Sequence, residues 1–168
     1  QHEIHMSETQ VNNIIEEVAE FNPSFTVNLA NEPTISPTFM FAIKKIKEKG
    51  LTATFNTNGL KLNKELCDTL VEINFDSVSI SIDALTPETL LKARGIKNLD
   101  RIKHNINLLL EARGDRAYPR IGVTFVITDY SKHELDDFIN YWKDIVDVIR
   151  VTSYITDDNP DIHNTESA

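Results

Sequence analysis

Residues 77–83 constrain the fold more than any other part of the sequence. They read Ser-Val-Ser-Ile-Ser-Ile-Asp, so polar residues alternate strictly with β-branched apolar residues. Successive side chains of a strand point to opposite faces, so this strand has one polar and one apolar face. Helical patterns flank it on both sides, and parallel strands joined by helices are normally apolar on both faces. We interpret the polar face as the lining of a cavity that holds a polar ligand.

Four other segments alternate in the same way and are also predicted to be strands. They are residues 24–29, 51–56, 120–128 and 148–155. Segments with helical spacing of apolar residues lie between them. Helix starts are indicated by capping-box patterns at residues 7–10 and 131–134, by Ser36 followed by Pro37, and by Asn63.

This order of elements predicts an open partial β/α barrel of about five parallel strands with the helices on the outer face. A doubly wound sheet would be apolar on both faces. A complete eight-stranded barrel typically needs about 250 residues and a bulky apolar interior, whereas this chain has 168 residues. We expect Thr54, Ser81, Asp83 and Thr152 to share one concave face. The barrel is predicted to occupy residues 1–155, and the acidic, aperiodic residues 156–168 are predicted to be a linker or disordered tail.

Charge and composition argue against several classes of protein. The net charge is −9, with 26 acidic and 17 basic residues, which disfavours a nucleic-acid substrate. No run of about 18 apolar residues is present, so no membrane span is predicted. The single cysteine, Cys67, lies on an apolar helical stripe and is expected to be a core residue and not a metal ligand. It fits a reducing, cytoplasmic location.

The predicted carboxyl ends of the strands carry the candidate functional groups, because these ends hold the sites of β/α barrels. Glu32 and Asp83 form one carboxylate pair among neutral hydrogen-bonding residues. No phosphate-binding loop, glycine-rich dinucleotide fingerprint, serine nucleophile elbow or metal triad is present. The pattern favours a site for a cationic ligand with several hydroxyl groups.

Five motifs in this order resemble those of radical S-adenosylmethionine enzymes. Residues 29–34, Leu-Ala-Asn-Glu-Pro-Thr, resemble the GGEP motif, and residues 56–59, Asn-Thr-Asn-Gly, resemble the TNG motif. Residues 79–83 resemble the ribose-binding strand of the family, and residues 91–95 and 120–128 follow in the family's order. The resemblance covers residues 7–154. It implies a partial (β/α)₆ barrel that holds S-adenosylmethionine and a four-iron four-sulfur cluster, which reductively cleaves the cofactor to a 5′-deoxyadenosyl radical.

The resemblance also implies a role for individual residues at the methionine end of the cofactor. Glu32 would receive the methionine ammonium group, with the backbone of Ala30 and Asn31 nearby. Arg94 would meet the methionine carboxylate. Ala30 and Asn31 replace the two glycines of the family motif, so the loop is expected to approach the ligand less closely.

At the other end of the cofactor, the resemblance places Ser81 and Asp83 on the ribose hydroxyls and the backbone near Tyr154 at the adenine. The expected substrate is a peptide or small molecule, and the expected electron donor is a flavodoxin or ferredoxin. The family's three-cysteine cluster motif is absent from the 168 residues. We expect it to precede Gln1 in a longer protein, so that the chain as given is a core without radical chemistry.

Two other interpretations remain open. The chain can be a non-catalytic binding module that kept the barrel and lost the cluster. Alternatively, it can be a barrel fragment of another metabolic enzyme with a phosphorylated substrate, although it has no glycine-rich anion-binding loop.

Overall fold

The computed structural model describes residues 5–27 and 32–153. Within them, five strands alternate with helices. The strands are β1 (Ser24–Thr26), β2 (Thr52–Thr57), β3 (Ser77–Ser81), β4 (Arg120–Ile127) and β5 (Val148–Ser153). The α-helices are α1 (Glu8–Val18), α2 (Phe39–Glu48), α3 (Lys64–Glu72), α4 (Pro87–Arg94), α5 (Leu99–Arg113) and α6 (Leu135–Trp142). Short 3₁₀ helices cover Ala19–Phe21, Pro33–Ile35 and Lys132–Glu134.

The five strands form one parallel sheet in the order β1-β2-β3-β4-β5. Each strand therefore pairs with the next along the chain. Crossovers between parallel strands are almost always right-handed, so a strictly sequential order places every connecting helix on the same face of the sheet. This confirms the predicted open partial barrel with helices outside and excludes a doubly wound sheet.

The two faces of β3 differ as the alternation predicts. Val78, Ile80 and Ile82 are fully buried against the helices, whereas the side chains of Ser77 and Ser81 are partly exposed on the opposite face. The strand register places Thr54 and Arg120 beside Ser77, and Thr124 beside Ser81. The concave face is therefore polar, and the apolar residues lie under the helices.

The core between sheet and helices contains two groups of aromatic side chains. Phe55 of β2 contacts Phe39 and Phe75, with ring centroids 5.0 and 5.4 Å apart. Phe138 of α6 lies 4.8 Å from Phe125 of β4 and 6.2 Å from Trp142. All six rings are at most 4% exposed, so they anchor the helices to the outer face of the sheet.

Two of the four predicted helix starts agree with the structure. Ser7 forms the predicted capping box with Gln10, and Asn63 caps α3 by accepting from the Leu66 N–H. The prediction at Ser36 and Pro37 is wrong by two residues, because Ser36 is the C-cap of the 3₁₀ helix that ends at Ile35 and α2 begins only after Thr38.

The second capping box, predicted at Ser131, is wrong. The Ser131 hydroxyl bonds within its own loop, to the Val126 carbonyl and the Thr128 N–H. The Glu134 carboxylate instead reaches a different helix, as described below. The capping box therefore does not form, because Ser131 bonds within its own loop and Glu134 bonds to a distant part of the chain.

Several predictions fall on residues outside the described ranges. They concern Ala30, Asn31 and Tyr154, the end of the first predicted strand and the acidic segment 156–168. Among residues 5–27 and 32–153, no helix is long and apolar enough to cross a membrane.

Candidate functional site at the carboxyl edge of the sheet

Glu32 lies where β1 and β2 end and is fixed by four hydrogen bonds. Its Oε1 accepts from the Thr34 hydroxyl at 2.6 Å, from the Thr34 N–H at 3.3 Å and from the Thr57 hydroxyl at 2.7 Å. Its Oε2 accepts from the Asn58 N–H at 2.7 Å. All four donors are neutral, and no lysine or arginine in the described part of the chain forms an ion pair with Glu32. The carboxylate is thus held in place with its charge uncompensated.

The Asn58–Gly59 turn that supports Glu32 is itself fixed by a hydrogen bond from α5. Asn105 of α5 is 6% exposed, and its side-chain amide donates to the Gly59 carbonyl at 2.8 Å. Gly59 has φ of +78°, and a Cβ there would lie 2.9 Å from Cγ2 of Ile80. A larger residue would therefore have to displace the turn or the core.

Asp83 does not continue the alternation of β3. The N–H groups of Ile82 and Asp83 both donate to the Thr124 carbonyl, which is the geometry of a β-bulge. Asp83 has φ of +61° and is only 4% exposed. Its Oδ1 accepts from the Val126 N–H at 2.8 Å. Asp83 therefore lies at the predicted edge of the sheet, but its carboxylate is buried between β3 and β4.

Arg94 is the last residue of α4 and forms an ion pair with Asp83. Its Nη1 lies 2.5 Å from Oδ2 of Asp83, and its side chain is 28% exposed. The helix ends at Gly95, which has φ of +71°. Asp83 does not cap this helix, because the Thr86 side chain does so by accepting from the Thr89 N–H. The structure thus brings two of the predicted site residues into direct contact.

Glu134, which the sequence analysis missed, connects α4 to the loop after β4. Its side chain is 6% exposed and accepts from the Leu85 N–H at 2.5 Å and from the Thr86 and Thr89 hydroxyls at 2.5 and 2.7 Å. Burial alone raises the pKa of a carboxyl group, but these donors outweigh it and the pKa of Glu134 is lowered from its ordinary 4.5. Glu134 therefore stays ionised and holds the start of the helix that carries Arg94.

The concave face next to this edge carries hydroxyl groups. Ser79 and Thr124, on neighbouring strands, share a hydrogen bond of 2.9 Å between their hydroxyls. Ser81 lies one row closer to the edge, directly opposite Thr124 in the register. Its partly exposed hydroxyl is available to a ligand.

Buried polar side chains concentrate at this edge. Seven polar or charged residues of the described chain are buried, and six of them support it: Thr57, Asp83, Thr89, Asn105, Ser131 and Glu134. Thr69, on the outer helix α3, is the exception. Thr57 and Asn105 were also missed, although each is a polar residue at an apolar position of its strand or helix, and that is a readable signal. Fully bonded buried polar groups fix geometry, so this edge is preorganised.

No cluster of three or more potential metal-ligating side chains occurs within the described residues. The one cysteine, Cys67, is fully buried in α3, and burial raises its pKa to about 11. A thiol in this environment remains protonated and is not a metal ligand.

These features define a class: a sequentially ordered partial β/α barrel with a polar concave face and a preorganised carboxyl edge. Comparison with known proteins identifies the family. The sequence matches the radical SAM superfamily over residues 1–141. The chain therefore belongs to the radical SAM superfamily, whose members use S-adenosylmethionine and a four-iron four-sulfur cluster.

Characterised relatives include proteins with different stated activities. The chain is 28% identical over 127 residues to the tungsten-containing aldehyde ferredoxin oxidoreductase cofactor-modifying protein of Pyrococcus furiosus, covering 74% of this chain and 36% of that protein. It is 29% identical over 140 residues to the S-adenosylmethionine-dependent nucleotide dehydratase of Flammeovirga pacifica, covering 81% and 47%. The chain thus spans less than half the length of these relatives.

A solved structure with the same fold is that of Streptococcus suis SuiB bound to S-adenosylmethionine. The TM-score is 0.79 at 15% sequence identity, over 93% of this chain and 36% of SuiB. SuiB has also been solved with its precursor peptide SuiA. At this identity the likeness establishes the fold.

Proposed function

We propose that this chain is the S-adenosylmethionine-binding barrel of a radical SAM enzyme that acts on a peptide or small molecule. The observation that carries the proposal is Glu32, a carboxylate fixed by four neutral donors at the carboxyl edge, with no cationic partner in the described residues. Such a group is suited to bind an ammonium ion supplied by a ligand.

The residues present fit the methionine end of the cofactor. Oε2 of Glu32 accepts one hydrogen bond, from Asn58, and retains the capacity to accept another. In the proposal, the methionine ammonium donates to this oxygen. The backbone of Ala30 and Asn31, which precede Glu32 in the sequence, is proposed to lie beside it.

The ribose end is assigned to Ser81 and Asp83, and the adenine to the backbone near Tyr154. Asp83 uses one lone pair on each oxygen, for Val126 and Arg94, so each oxygen can accept a further bond. Arg94 has five donors and is partly exposed, so it can bind the methionine carboxylate while it stays paired with Asp83. The ion pair then links the two ends of the cofactor site.

The residues of this chain do not supply cysteine ligands for the cluster. Its only cysteine is Cys67, which is buried on the outer side of the sheet. When bound in a complete enzyme of the family, the cluster supplies the electron that cleaves S-adenosylmethionine. We therefore propose that the 168 residues alone bind the cofactor without cleaving it, and that an electron donor such as flavodoxin or ferredoxin serves the complete enzyme in the cytoplasm.

Calorimetric titration of S-adenosylmethionine tests the proposal with matched variants on one strand. Ser81→Ala removes a hydroxyl from the carboxyl edge, and Ser77→Ala removes one from the same face at the other end of β3. A neutral hydrogen bond contributes about 0.5–1.5 kcal/mol, so Ser81→Ala should weaken binding roughly two- to ten-fold. Ser77→Ala should leave it unchanged. Absence of binding to the wild-type chain, or equal effects of both variants, would contradict the proposal.

A non-catalytic binding module is the second candidate, and the buried position of the only cysteine is the observation in its favour. Both candidates bind S-adenosylmethionine. They differ in whether the protein that contains these residues yields 5′-deoxyadenosine after anaerobic reconstitution with iron and sulfide and reduction by dithionite. The enzyme does so, and the binding module does not.

A further inference from the structure

The concave face carries only positive charge among the described residues. Its fifteen inward strand positions include two charged residues, Arg120 and Arg150, and no aspartate or glutamate. This contrasts with the net charge of −9 for the whole chain. The inward positions are Ser24, Thr26, Thr52, Thr54, Asn56, Ser77, Ser79, Ser81, Arg120, Gly122, Thr124, Val126, Val148, Arg150 and Thr152.

The two arginines differ in position. Arg120 is the first residue of β4 and lies opposite Ser77, at the amino edge. Arg150 lies opposite Thr124, which is itself opposite Ser81, so it shares a row with the proposed ribose-binding residue. Neighbouring strands are about 4.8 Å apart, which places the Cα atoms of Arg150 and Ser81 about 10 Å apart across the face.

The guanidinium group of Arg150 has no hydrogen-bond or ion-pair partner in the described part of the chain, and the residue is exposed. The two other arginines whose ion pairs define local structure, Arg94 and Arg113, are each bound to an aspartate. The guanidinium group of Arg150 therefore has a positive charge that no described residue neutralises, and it lies on the same face as the hydroxyls of Ser79 and Thr124.

Planar guanidinium groups bind carboxylates and phosphates through two parallel hydrogen bonds. We propose that Arg150 binds an anionic oxyacid group of the substrate, a carboxylate or a phosphate, on the concave face. The inference rests on the proposed function, because it takes this face as the substrate cavity of an S-adenosylmethionine-binding barrel. The substrate is accordingly an anionic compound, and Ser79 and Thr124 offer hydroxyls to its neighbouring polar groups.

The test titrates two ligands into this chain, once without S-adenosylmethionine and once in the presence of a saturating concentration of it. Inorganic triphosphate represents a phosphate source, and the peptide Ala-Glu-Glu-Ala represents a carboxylate source. The variants are Arg150→Gln, Arg150→Lys and, as a matched cation on the same face, Arg120→Gln. Thermal melts accompany each titration, and Arg150→Gln is expected to melt with the wild type because the residue is exposed and unpartnered.

At least one of the two ligands should bind the wild-type chain, and the one that binds identifies the source of the anion. Loss of a charge-assisted contact contributes about 1.5–3 kcal/mol, so Arg150→Gln should weaken that binding roughly ten- to a hundred-fold. Arg150→Lys should retain part of it, since lysine keeps the charge and loses the fork. Arg120→Gln should have no effect.

Failure of this inference is distinct from failure of the proposed function. If S-adenosylmethionine binds and neither anion does, the Arg150 site is wrong and the cofactor site stands. If an anion binds through Arg150 without any binding of S-adenosylmethionine, the cofactor proposal fails and the anion site stands. Equal weakening by Arg120→Gln and Arg150→Gln would indicate nonspecific charge attraction and would overturn the assignment to Arg150.

Discussion

The amino and carboxyl edges of the sheet use charge differently. At the amino edge, Asp76 just before β3 accepts from the Ala53 N–H at 2.8 Å and pairs with Lys47 of α2 at 2.6 Å. The same arrangement recurs along the chain, where Asp147 just before β5 accepts from the Ile121 N–H and pairs with Arg113 of α5. In each case an aspartate just before a strand links that strand to the preceding strand and to a helix. The residues are Lys47, Ala53 and Asp76 for α2, β2 and β3, and Arg113, Ile121 and Asp147 for α5, β4 and β5.

At the carboxyl edge, the carboxylates are held mainly by neutral groups. Glu32 and Glu134 bond to hydroxyls and backbone N–H groups, and no lysine or arginine within the described ranges pairs with them. Asp83 is the one with an arginine partner. The two aspartates at the amino edge, Asp76 and Asp147, are thus each neutralised by a cation within the fold, whereas the carboxyl edge retains negative charge at fixed positions. We expect the paired charges of the amino edge to stabilise the barrel and the negative charges of the carboxyl edge to bind a ligand.

The largest expected effect is on the amino edge. Asp76→Ala removes the ion pair of Lys47, whose side chain is 12% exposed and keeps only its bond to the Leu51 carbonyl, and leaves the buried Ala53 N–H without its acceptor. Such losses cost about 2–4 kcal/mol in total, or roughly 5–10 °C in melting temperature. Affinity for S-adenosylmethionine at the opposite edge should not change. A melting temperature within about 1 °C of the wild type would show that this edge is not a stabilising clamp.

Gly59→Ala tests whether the carboxyl edge contributes both to the stability of the barrel and to the binding of S-adenosylmethionine. The added methyl group meets Ile80 at 2.9 Å and Ile102 at 3.1 Å in a backbone with φ of +78°. Overpacking and left-handed strain together cost about 2–3 kcal/mol. Unlike Asp76→Ala, this change should also weaken S-adenosylmethionine binding, because Asn58 and its bond to Glu32 move. Unchanged affinity in a destabilised variant would separate the turn from the site.

Glu134 gives the carboxyl edge a pH dependence. Since its pKa in the folded protein is below the ordinary 4.5, its contribution to stability is complete above that value and is lost as pH falls through the folded pKa. Glu134→Gln should therefore lower the melting temperature at pH 7 and flatten its decline below about pH 4.5. Parallel melting curves of variant and wild type across this range would contradict the role of the charge.

The smallest effect is expected at an ion pair that belongs to neither edge. Lys64 and Asp68 are four residues apart on α3, and both side chains are more than half exposed. Exposed pairs of this kind contribute about 0.3–0.5 kcal/mol. Lys64→Ala should move the melting temperature by no more than about 1–2 °C. A shift as large as that of Asp76→Ala would remove the distinction between buried and surface charge.

The sequence predicted the parts of the fold that depend on local pattern. Alternation in residues 77–81 sets which face of β3 is buried, and the capping box of Ser7 forms because its helix end is exposed and its two partners are only three residues apart. The partial barrel was also predictable from local pattern, because the polar and apolar faces of each strand are set by its own sequence.

What the pattern did not predict depends on contacts between distant residues. Glu134 matched a local capping motif but is bound by Thr86, 48 residues earlier in the chain. Asp83 continues the alternation of β3 in sequence, but the bulge against Thr124 turns its carboxylate into the fold. Glu32, Ser81 and Asp83 were named from their place at the strand ends. Arg94 was named through the family resemblance, and the roles of all four at the cofactor stay predictions. The geometry adds the ion pair between Asp83 and Arg94.

We propose that Glu32 binds the ammonium group of S-adenosylmethionine. The most direct measurement compares wild type and Glu32→Gln for two ligands, S-adenosylmethionine and 5′-methylthioadenosine, which lacks the amino acid end. We expect Glu32→Gln to weaken S-adenosylmethionine binding roughly ten- to a hundred-fold and to leave methylthioadenosine binding unchanged. Equal S-adenosylmethionine affinity in both proteins, or equal losses for the two ligands, would contradict it.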